Sequence, residues 1–327
     1  MPSITLNMIV KDEEKTIKRC LDSVVDIIDF FVIMDTGSKD NTVDIIKKYF
    51  SEKNKKGIIK KSHFHNFSQA RNESLLTTYK FSPKTSGKDY ILLLDSDMIL
   101  HIDKFSKNDL FLDAYYIVQK TNKLEYKNIR LIKNNGIFFY KGYTHEVLIS
   151  STETRKGNIK KNCVYIEDIG DGGSKKDKCE RDIRLLKKEI LDEPKFSRPY
   201  FYLANTFFGK KEYESSEEYY KKRIVFGGWK EEIWYSYYRL GIIKALQGNI
   251  PESIYFFFSS IETHPRRLES YYHLLLILKE NKMGIIYDMV RRKSKDIYEN
   301  KFDTMDYLFY EKNICENEIQ KMIFLDK

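Results

Sequence analysis

The first hundred residues alternate short apolar runs with stretches of helical periodicity, and this alternation restricts the fold more than any other feature. The apolar runs are Ile4–Val10, Phe30–Met34 and Tyr90–Leu94. Apolar residues recur at helical spacing in Glu13–Val25, Asp40–Phe50 and Gln69–Tyr79. Strands that are apolar at successive positions are typical of a parallel sheet covered on both faces. The sequence therefore predicts an α/β domain built on a mainly parallel sheet.

Acidic residues follow three of the predicted strands at the point where each strand ends. They are Asp12, Glu13 and Glu14 after the first, Asp35 after the second, and Asp95 with Asp97 after the last. Ligands of open α/β sheets bind at this edge, and buried acids without a partner are costly. A cation is a natural partner, and oxygen ligands favour Mg²⁺ or Mn²⁺. The sequence predicts a metal site that serves a phosphate, although Asp-x-Asp and Asp-Thr-Gly-Ser segments also occur as ordinary turns.

The pattern changes after about residue 110. From there to residue 168, short β-rich pieces follow one another and are expected to extend the first domain. Asp171–Lys176 contains two glycines and two lysines and is the best linker candidate. We predict a sheet domain over residues 1–170, a linker or lid over 171–180, and an all-α helical-repeat domain over 181–327.

The C-terminal part contains internal repeats. Tyr200-x-x-Leu203-Ala204 is matched by Tyr237-x-x-Leu240-Gly241, and Ala204 and Gly241 lie 37 residues apart. A weaker third copy places Leu275 34 residues after Gly241, which is the ~34-residue length of a tetratricopeptide unit. The extra residues of the first interval are expected in Phe226-Gly227-Gly228-Trp229. We predict tetratricopeptide-like repeats, with a generic helical bundle as the alternative.

The chain is basic and rich in aromatic residues, with 24 Tyr, 21 Phe and a net charge of +9. This composition raises the question of nucleic-acid binding, since phosphates attract cations and bases stack on aromatic rings. Lys alternates with Asp and Glu throughout, however, and the sequence has no basic arm, zinc-finger spacing or ribonucleoprotein motif. Core positions of the repeats account for Tyr200, Phe207, Tyr213, Tyr220, Tyr237 and Phe257. Nucleic acid is therefore not an expected partner.

Cysteine usage and hydropathy bear on the cellular compartment. The four cysteines, at positions 20, 163, 179 and 315, have no metal-ligand spacing and indicate no disulfide framework. The longest apolar runs are far shorter than the ~18 residues of a membrane span, and the N-terminus does not resemble a signal peptide. These observations predict a cytoplasmic protein without a transmembrane segment.

Four motifs together resemble the family 2 glycosyltransferases of GT-A fold; they are Met8–Glu14, Val32–Thr42, Gln69–Asn72 and Leu94–Asp97. Gly142-x-x-His145-Glu146 and Ile169–Lys175 resemble the branch of that family with a tetratricopeptide-like C-terminal region. The resemblance extends over roughly the first 260 residues. It implies a Rossmann-like sheet domain followed by helical repeats. It also implies an inverting, metal-dependent transfer of a hexose or N-acetylhexosamine from a UDP-sugar to an acceptor hydroxyl.

The resemblance further implies residues that bind the donor. Glu13 is expected to contact the nucleoside, and Asp35, with Gly37 and Ser38 of the same motif, the uracil edge. Arg71 is expected to face the donor. The motif departs from the family at position 12, where Asp12 stands for the usual Asn, and we expect little effect from this change.

Three acids are the metal ligands that the resemblance implies. Asp95 and Asp97 would hold the ribose and a Mn²⁺ or Mg²⁺ ion that bridges the diphosphate. Related sequences often carry a His just before the Gly-Asp-Gly-Gly stretch, where a third ligand can lie, and here that position is Asp168. Gly172-Gly173 beside it predicts a mobile lid over the donor, and Lys175 or Lys176 is expected either at the diphosphate or in solvent.

An inverting transfer needs a base for the acceptor hydroxyl. Glu146 is the first candidate and Asp171 the second, and His145 is expected near the donor or the metal. A purely structural role stays open for both Glu146 and His145. The acceptor is expected to be a glycan, a glycolipid or a protein, held by the helical repeats, which could instead bind a second protomer.

Two other functions stay open on the sequence alone. The first is a catalytically inactive interaction protein, in which the repeats bind a partner. The second is a nucleotidyltransferase, which also uses Asp-x-Asp with Mg²⁺ and would release pyrophosphate instead of UDP. Three acid-bearing strand ends argue against the first, because an inactive domain has no need of them.

Overall fold

The computed structural model describes residues 1–84, 87–122, 125–173, 178–299, 318 and 321–322. The chain divides into two compact units, Met1–Arg181 and Asp182–Lys327. Residues 174–177 of the predicted linker lie outside the described residues, and so do Lys175 and Lys176. Within the described ranges, none of the helices combines the length and the apolar character that a membrane-spanning segment needs.

The first unit is built on one large sheet, and the strands in one half of it are all parallel. Its strands are β1 (Ile4–Val10), β2 (Phe30–Asp35), β3 (Lys56–Lys61), β4 (Tyr90–Leu93), β5 (Met98–Ile102), β6 (Ala114–Lys120), β7 (Glu125–Lys133), β10 (Lys156–Asn158) and β11 (Val164–Asp168). Their order is β3-β2-β1-β4-β7-β6-β11-β5, and β10 pairs with β6. Strands β1 to β4 are mutually parallel where they pair, whereas β7 is antiparallel to β4 and to β6. The predicted parallel sheet is confirmed.

Three α-helices and a hairpin lie in the described part of this unit before α4 (Lys178–Asp192), together with a 3-10 turn at Lys107–Asp109. The helices are α1 (Ile17–Val24), α2 (Thr42–Glu52) and α3 (Phe67–Phe81), and the hairpin pairs β8 (Phe138–Lys141) with β9 (Val147–Ser150). Helix α3 starts two residues before its predicted start, because the Asn66 side chain accepts a hydrogen bond from the Gln69 N–H at 2.8 Å and caps the first turn.

Strand β4 shows why its sequence is apolar at every position. Leu92 and Leu94 belong to the core on the side of α1 and α2, whereas Ile91 and Leu93 belong to the core that contains Leu75 of α3. Both faces of the strand are therefore buried, as a strand with helices on either side requires. Strand β4 ends at the predicted acidic motif, and the chain then continues into β5, which had not been predicted as a strand.

The second unit is helical throughout its described part. Its helices are α4 (Lys178–Asp192), which begins in the first unit, α5 (Arg198–Gly209), α6 (Tyr213–Val225), α7 (Lys230–Leu246), α8 (Ile250–Thr263), α9 (Leu268–Glu280) and α10 (Gly284–Glu299). From α5 onwards each helix packs against the next one in the chain. This is a tetratricopeptide-like helical-repeat region, as predicted.

The repeat is visible in individual hydrogen bonds. The Ser216 hydroxyl donates to the Ala204 carbonyl at 2.9 Å, and the Ser253 hydroxyl donates to the Gly241 carbonyl at 2.8 Å, so the same bond recurs 37 residues later. A Cβ atom on Gly241 would lie 2.8 Å from the ring of Phe257. Small residues at these positions therefore allow the paired helices to approach closely.

The position of the extra residues in the first repeat interval was predicted wrongly. The turn Phe226–Trp229 between α6 and α7 has four residues, as many as the turn between α8 and α9. Helix α7 is instead longer, with 17 residues against 12 in α5 and 13 in α9. Glu231 and Glu232 in its first turn favour this extension, because carboxylates stabilise the positive end of the helix dipole.

Candidate active site

A cleft of about 560 Å³ lies at the carboxyl ends of the parallel strands. Its lining consists of Ile9–Glu13 and Thr36, of Asp95–Met98 with Asp168, of Phe64, Phe67 and Arg71, and of Gly172, Gly173 and Arg181. Of the predicted site residues, Glu13, Arg71, Asp95, Asp97 and Asp168 line this cleft together. Among the described residues, Asp35, Gly37, Ser38, His145, Glu146 and Asp171 lie outside its lining.

Asp95 is bound by two arginines. Arg71 Nη2 lies 2.7 Å from Asp95 Oδ1, and Arg130 Nη1 lies 3.4 Å from Asp95 Oδ2. Burial opposes the ionisation of Asp95, but the two guanidinium groups outweigh it and hold the pKa of this carboxyl below its usual value. The charge of Asp95 is therefore compensated by the protein itself.

Arg71 joins Asp95 to the candidate base Glu146. Its Nε lies 2.5 Å from Glu146 Oε1, and its guanidinium carbon lies 5.4 Å from the centre of the Tyr140 ring. Burial lowers the pKa of Arg71, but the neighbouring Asp95 and Glu146 outweigh it and raise that pKa well above its usual value. Burial also raises the pKa of Tyr140 to about 12. Arg71 is thus a fixed cation between two carboxylates.

The backbone of the β8–β9 turn presents Glu146 to Arg71. His145 has a left-handed conformation with φ +52°, and Gly142 has φ +112°. A Cβ atom on Gly142 would lie 3.1 Å from the Cα of Glu146, so the turn needs glycine there. The Phe67 N–H donates to the Tyr143 carbonyl at 2.9 Å and ties this turn to the start of α3. His145 therefore occupies a strained backbone position in this turn.

Asp97 differs in its pKa and in its partners from Asp95, which lies two positions earlier in the motif. Burial first, and then the nearby Asp95 and Asp168 carboxylates, raise the pKa of Asp97 to about 6. The Gly172 N–H donates to Asp97 Oδ2 at 3.4 Å, and Asp168 Oδ2 accepts from Gln119 Nε2 at 2.8 Å. In the part of the chain that the structure describes, neither Asp97 nor Asp168 forms an ion pair with Lys or Arg within 4.0 Å.

Glu13 is held by polar groups of two segments. Its Oε2 accepts from the Thr16 hydroxyl at 2.7 Å, and its Oε1 accepts from the Gly173 N–H at 3.1 Å. A Cβ atom on Gly173 would lie 2.2 Å from the Asp12 carbonyl oxygen. Only glycine therefore allows this segment to lie so close to the end of β1.

Asp171, the second candidate base, is paired away from the cleft. Its two carboxylate oxygens accept from Arg19 Nη2 at 2.7 Å and Nη1 at 3.0 Å. The segment Asp171–Gly173 is thus fixed at three points, by Arg19, by Asp97 and by Glu13. It lies across the acids at the strand ends.

Asp35 closes the turn that follows β2. Its Oδ1 accepts from the Ser38 N–H at 2.9 Å and from the Gly37 N–H at 3.4 Å, and Gly37 has φ +110°. The Ser38 hydroxyl in turn accepts from the Asp12 N–H at 3.1 Å. The predicted uracil-binding motif therefore forms a turn that is tied to the end of β1.

Sequence reasoning missed several residues of this region. Gln119, Arg130 and Arg19 contact the predicted acids, and Phe64, Phe67 and Arg181 line the cleft. Arg181 lies over the Phe67 ring at 5.0 Å. Gln119 and Arg130 could have been noticed from the sequence. Gln119 ends one predicted strand, and Arg130 interrupts the apolar residues of the next. No local pattern indicates Arg19.

A divalent cation fits the donor set at Asp97 and Asp168. Both are oxygen donors with uncompensated charge, as the raised pKa of Asp97 reflects. Among the described residues, no three His, Cys, Asp or Glu side chains are grouped so as to hold a metal ion. Mg²⁺ is commonly bound through only one or two carboxylates together with substrate phosphates and water. Asp97 and Asp168 fit this kind of Mg²⁺ site. Asp95 fits it less well, because its charge is already compensated by Arg71 and Arg130.

Comparison with known proteins agrees with this architecture. Residues 5–141, which lie within the first unit, match the model of glycosyl transferase family 2. A stretch of 237 residues is 27% identical to the SPbeta prophage-derived glycosyltransferase SunS of Bacillus subtilis, covering 68% of this chain and 53% of SunS. The chain thus spans about half the length of that relative.

Two further proteins are similar over shorter stretches of the chain. A stretch of 107 residues is 31% identical to a TPR repeat-containing protein of Synechococcus elongatus, covering 33% of this chain and 23% of that protein. A crystal structure of MamA is similar at 15% identity with a TM-score of 0.33, covering 38% of this chain and 66% of that one.

Proposed function

We propose that this chain is an inverting, metal-dependent glycosyltransferase that moves a hexose or N-acetylhexosamine from a UDP-sugar to an acceptor hydroxyl. The observation that supports it best is the uncompensated acid pair, Asp97 and Asp168, in a cleft at the strand ends of a family 2 domain. SunS, which is named a glycosyltransferase, is related over both units, which supports the same activity.

The charge distribution of the cleft supports a cation and a diphosphate. Arg71 and Arg130 compensate Asp95, whereas Glu13, Asp97 and Asp168 have only neutral hydrogen-bond donors among the described residues. Mn²⁺ or Mg²⁺ held by Asp97 and Asp168 would stabilise the negative charge of the departing diphosphate. Arg71 would add a fixed positive charge at the same wall.

The nucleoside is proposed to bind on the β1 and β2 side of the cleft. Glu13 offers a carboxylate there, and the turn of Asp35, Gly37 and Ser38 stands at the end of β2. His145 is proposed to shape the wall near Arg71 through its turn. The segment Asp171–Gly173 would have to move or close when the donor enters.

Glu146 is the base that we propose for the acceptor hydroxyl. Its Oε1 is fixed by Arg71, which orients the carboxylate towards the rest of the network. Asp171 is the weaker candidate, because Arg19 binds both of its oxygens. Replacing a general base typically lowers the rate about 10²–10⁴-fold. We therefore expect Glu146→Gln to lose kcat in that range, and a similar loss only in Asp171→Asn would reverse the assignment.

The acceptor is proposed to be a glycan, a glycolipid or a protein, bound with help from the helical repeats. The packing of consecutive helices in this unit supports the proposal, because stacked helical repeats form extended binding surfaces. A second protomer is the other partner that these helices could bind. We propose that the reaction takes place in the cytoplasm, where UDP-sugars are made.

The test is a panel of UDP-sugars with Mn²⁺ and purified full-length chain, with UDP release and product anomer as readouts. We expect one donor to be hydrolysed or transferred with inversion. Asp97→Asn should lower kcat/KM about 10²–10³-fold, whereas Asp44→Asn, an exposed acid of α2, should not. Pyrophosphate release would indicate a nucleotidyltransferase, and absence of any nucleotide binding would indicate an interaction protein.

A further inference from the structure

Gln119 and Arg130 form a buried polar pair on neighbouring strands. Gln119 is 1% exposed and Arg130 8% exposed. Arg130 lies at a bulge, since Tyr115 pairs with Leu131 and Tyr116 with Ile129, which leaves Arg130 unpaired between them. A bulge redirects a side chain, and bulges are frequent beside active sites. Here it allows Arg130 to reach Asp95 from the middle of the sheet.

The pair connects two acids of the cleft. Arg130 Nη1 lies 3.4 Å from Asp95 Oδ2, and Arg130 Nε and Nη2 donate to Gln119 Oε1 at 3.1 and 2.9 Å. Gln119 Nε2 then donates to Asp168 Oδ2 at 2.8 Å. Because Arg130 occupies the amide oxygen with two N–H groups, the amide nitrogen of Gln119 has to face Asp168.

The two ends of this connection differ in charge. Asp95 contacts guanidinium groups, so its charge is compensated, whereas Asp168 contacts a neutral amide. An amide orients a carboxylate by a hydrogen bond without cancelling its charge. Groups that orient metal ligands in this way contribute strongly to metal affinity, although they do not touch the metal.

We propose that Gln119 is a positioning residue that orients Asp168 for a divalent cation, and that Arg130 fixes the orientation of Gln119. This inference rests on the proposed function, because it assumes that Asp168 and Asp97 hold the cation of a nucleotide-sugar site. It assigns the cation to one pair of acids and leaves Asp95 as the acid that anchors the arginines.

The first test is Gln119→Met, which keeps the side-chain volume and removes both polar atoms. Mn²⁺ binding in the presence of UDP is followed by electron paramagnetic resonance and titration calorimetry. We expect the dissociation constant of Mn²⁺ to rise about 10–100-fold. Ile117→Val, a core truncation on the same strand, is the matched control and should leave Mn²⁺ binding unchanged. Equal Mn²⁺ affinity in Gln119→Met and the wild type would overturn the proposal.

The variant Gln119→Glu tests whether Gln119 orients Asp168 or only holds Arg130 in place. A carboxylate at 119 still accepts from Arg130, but it cannot donate to Asp168 and it repels that group. We expect Mn²⁺ binding to stay weak in this variant, although its contact with Arg130 is kept. Wild-type Mn²⁺ affinity in Gln119→Glu would show that only the contact with Arg130 matters, and would overturn the proposal.

Mn²⁺ and UDP binding by the wild-type chain distinguishes the positioning role of Gln119 from the proposed function. If the wild-type chain binds neither Mn²⁺ nor UDP, the proposed function is wrong and Gln119 is not involved. If the wild type binds both and the Gln119 variants bind them equally well, the proposed function stands and the positioning role is wrong.

Discussion

Both units of the molecule bury arginines beside carboxylates, but the balance of charge differs between them. In the helical unit, Glu232 is paired with Arg223 at 2.7 Å and with Arg198 at 3.1 Å, and Glu231 is paired with Arg267 and His264 at 2.9 Å each. In the sheet unit, Arg71 and Arg130 both approach Asp95, and Asp97 and Asp168 are left with neutral partners in the described structure.

This difference distinguishes acids that stabilise the fold through ion pairs from acids that are available to bind a cation. A buried pair with all partners present is destabilised strongly when one member is removed. A buried acid without a counter-charge is destabilising as it stands, so its removal should stabilise the ligand-free protein. The number of acids at a site is therefore less informative than the number left uncompensated.

The largest expected effect is in the helical unit. Glu232→Ala leaves Arg223, whose side chain is 1% exposed, without its carboxylate. We expect the free energy of unfolding to fall by about 3–5 kcal/mol in urea denaturation. Glu218→Ala is the matched control, because Glu218 forms an exposed pair with Lys222 on α6 and should change stability by less than about 1 kcal/mol. Similar losses in both variants would contradict the comparison.

The next effect concerns the two aspartates of the sheet unit in the metal-free protein. Asp97 titrates at about 6 when folded and at ~3.9 when unfolded. Protonation of Asp97 therefore stabilises the native state fully below about pH 4, and this stabilisation is lost as the pH rises through about 6. At pH 7.5 we expect the free energy of unfolding of Asp97→Asn to exceed that of the wild type by about 3 kcal/mol, and this gain should vanish at pH 4.

Asp95→Asn is the paired control. It should lower the free energy of unfolding, because it removes the charged partner of Arg71 and Arg130. Its free energy of unfolding at pH 7.5 is expected to fall by about 2 kcal/mol. Both variants are measured by urea denaturation with a chelator present. The comparison is wrong if both aspartates stabilise the metal-free protein. It is also wrong if the stability gain of Asp97→Asn does not depend on pH.

The smallest effect is expected at Arg19. Its pair with Asp171 is partly exposed, at 36% and 45% of the side chains, so Arg19→Ala should lower stability by less than about 1 kcal/mol. The segment Asp171–Gly173 would be held less firmly, and we expect KM for the donor to rise a few-fold with little change in kcat. Lys18→Ala, which breaks an exposed pair on the same helix, is the control. A large loss of kcat in Arg19→Ala would contradict this view.

Much of the architecture could be predicted from local sequence patterns. The apolar run of β4 indicated a strand buried on both faces, and the spacing of Ala204 and Gly241 indicated the repeat. The acids that line the cleft were found because parallel strands deliver their carboxyl ends to one edge. These features depend on periodicity within a few residues, so the sequence expresses them directly.

Tertiary structure alone decided which acids are compensated. Arg71 meets Asp95 and Glu146 across 24 and 75 residues of chain, and Arg130 reaches Asp95 only because a bulge turns it towards the cleft. Pairing of this kind depends on strand register and on how α3 and the β8–β9 turn pack, which local periodicity does not encode. Local sequence patterns place the acids at the strand ends, and the fold decides which of them have no positively charged partner.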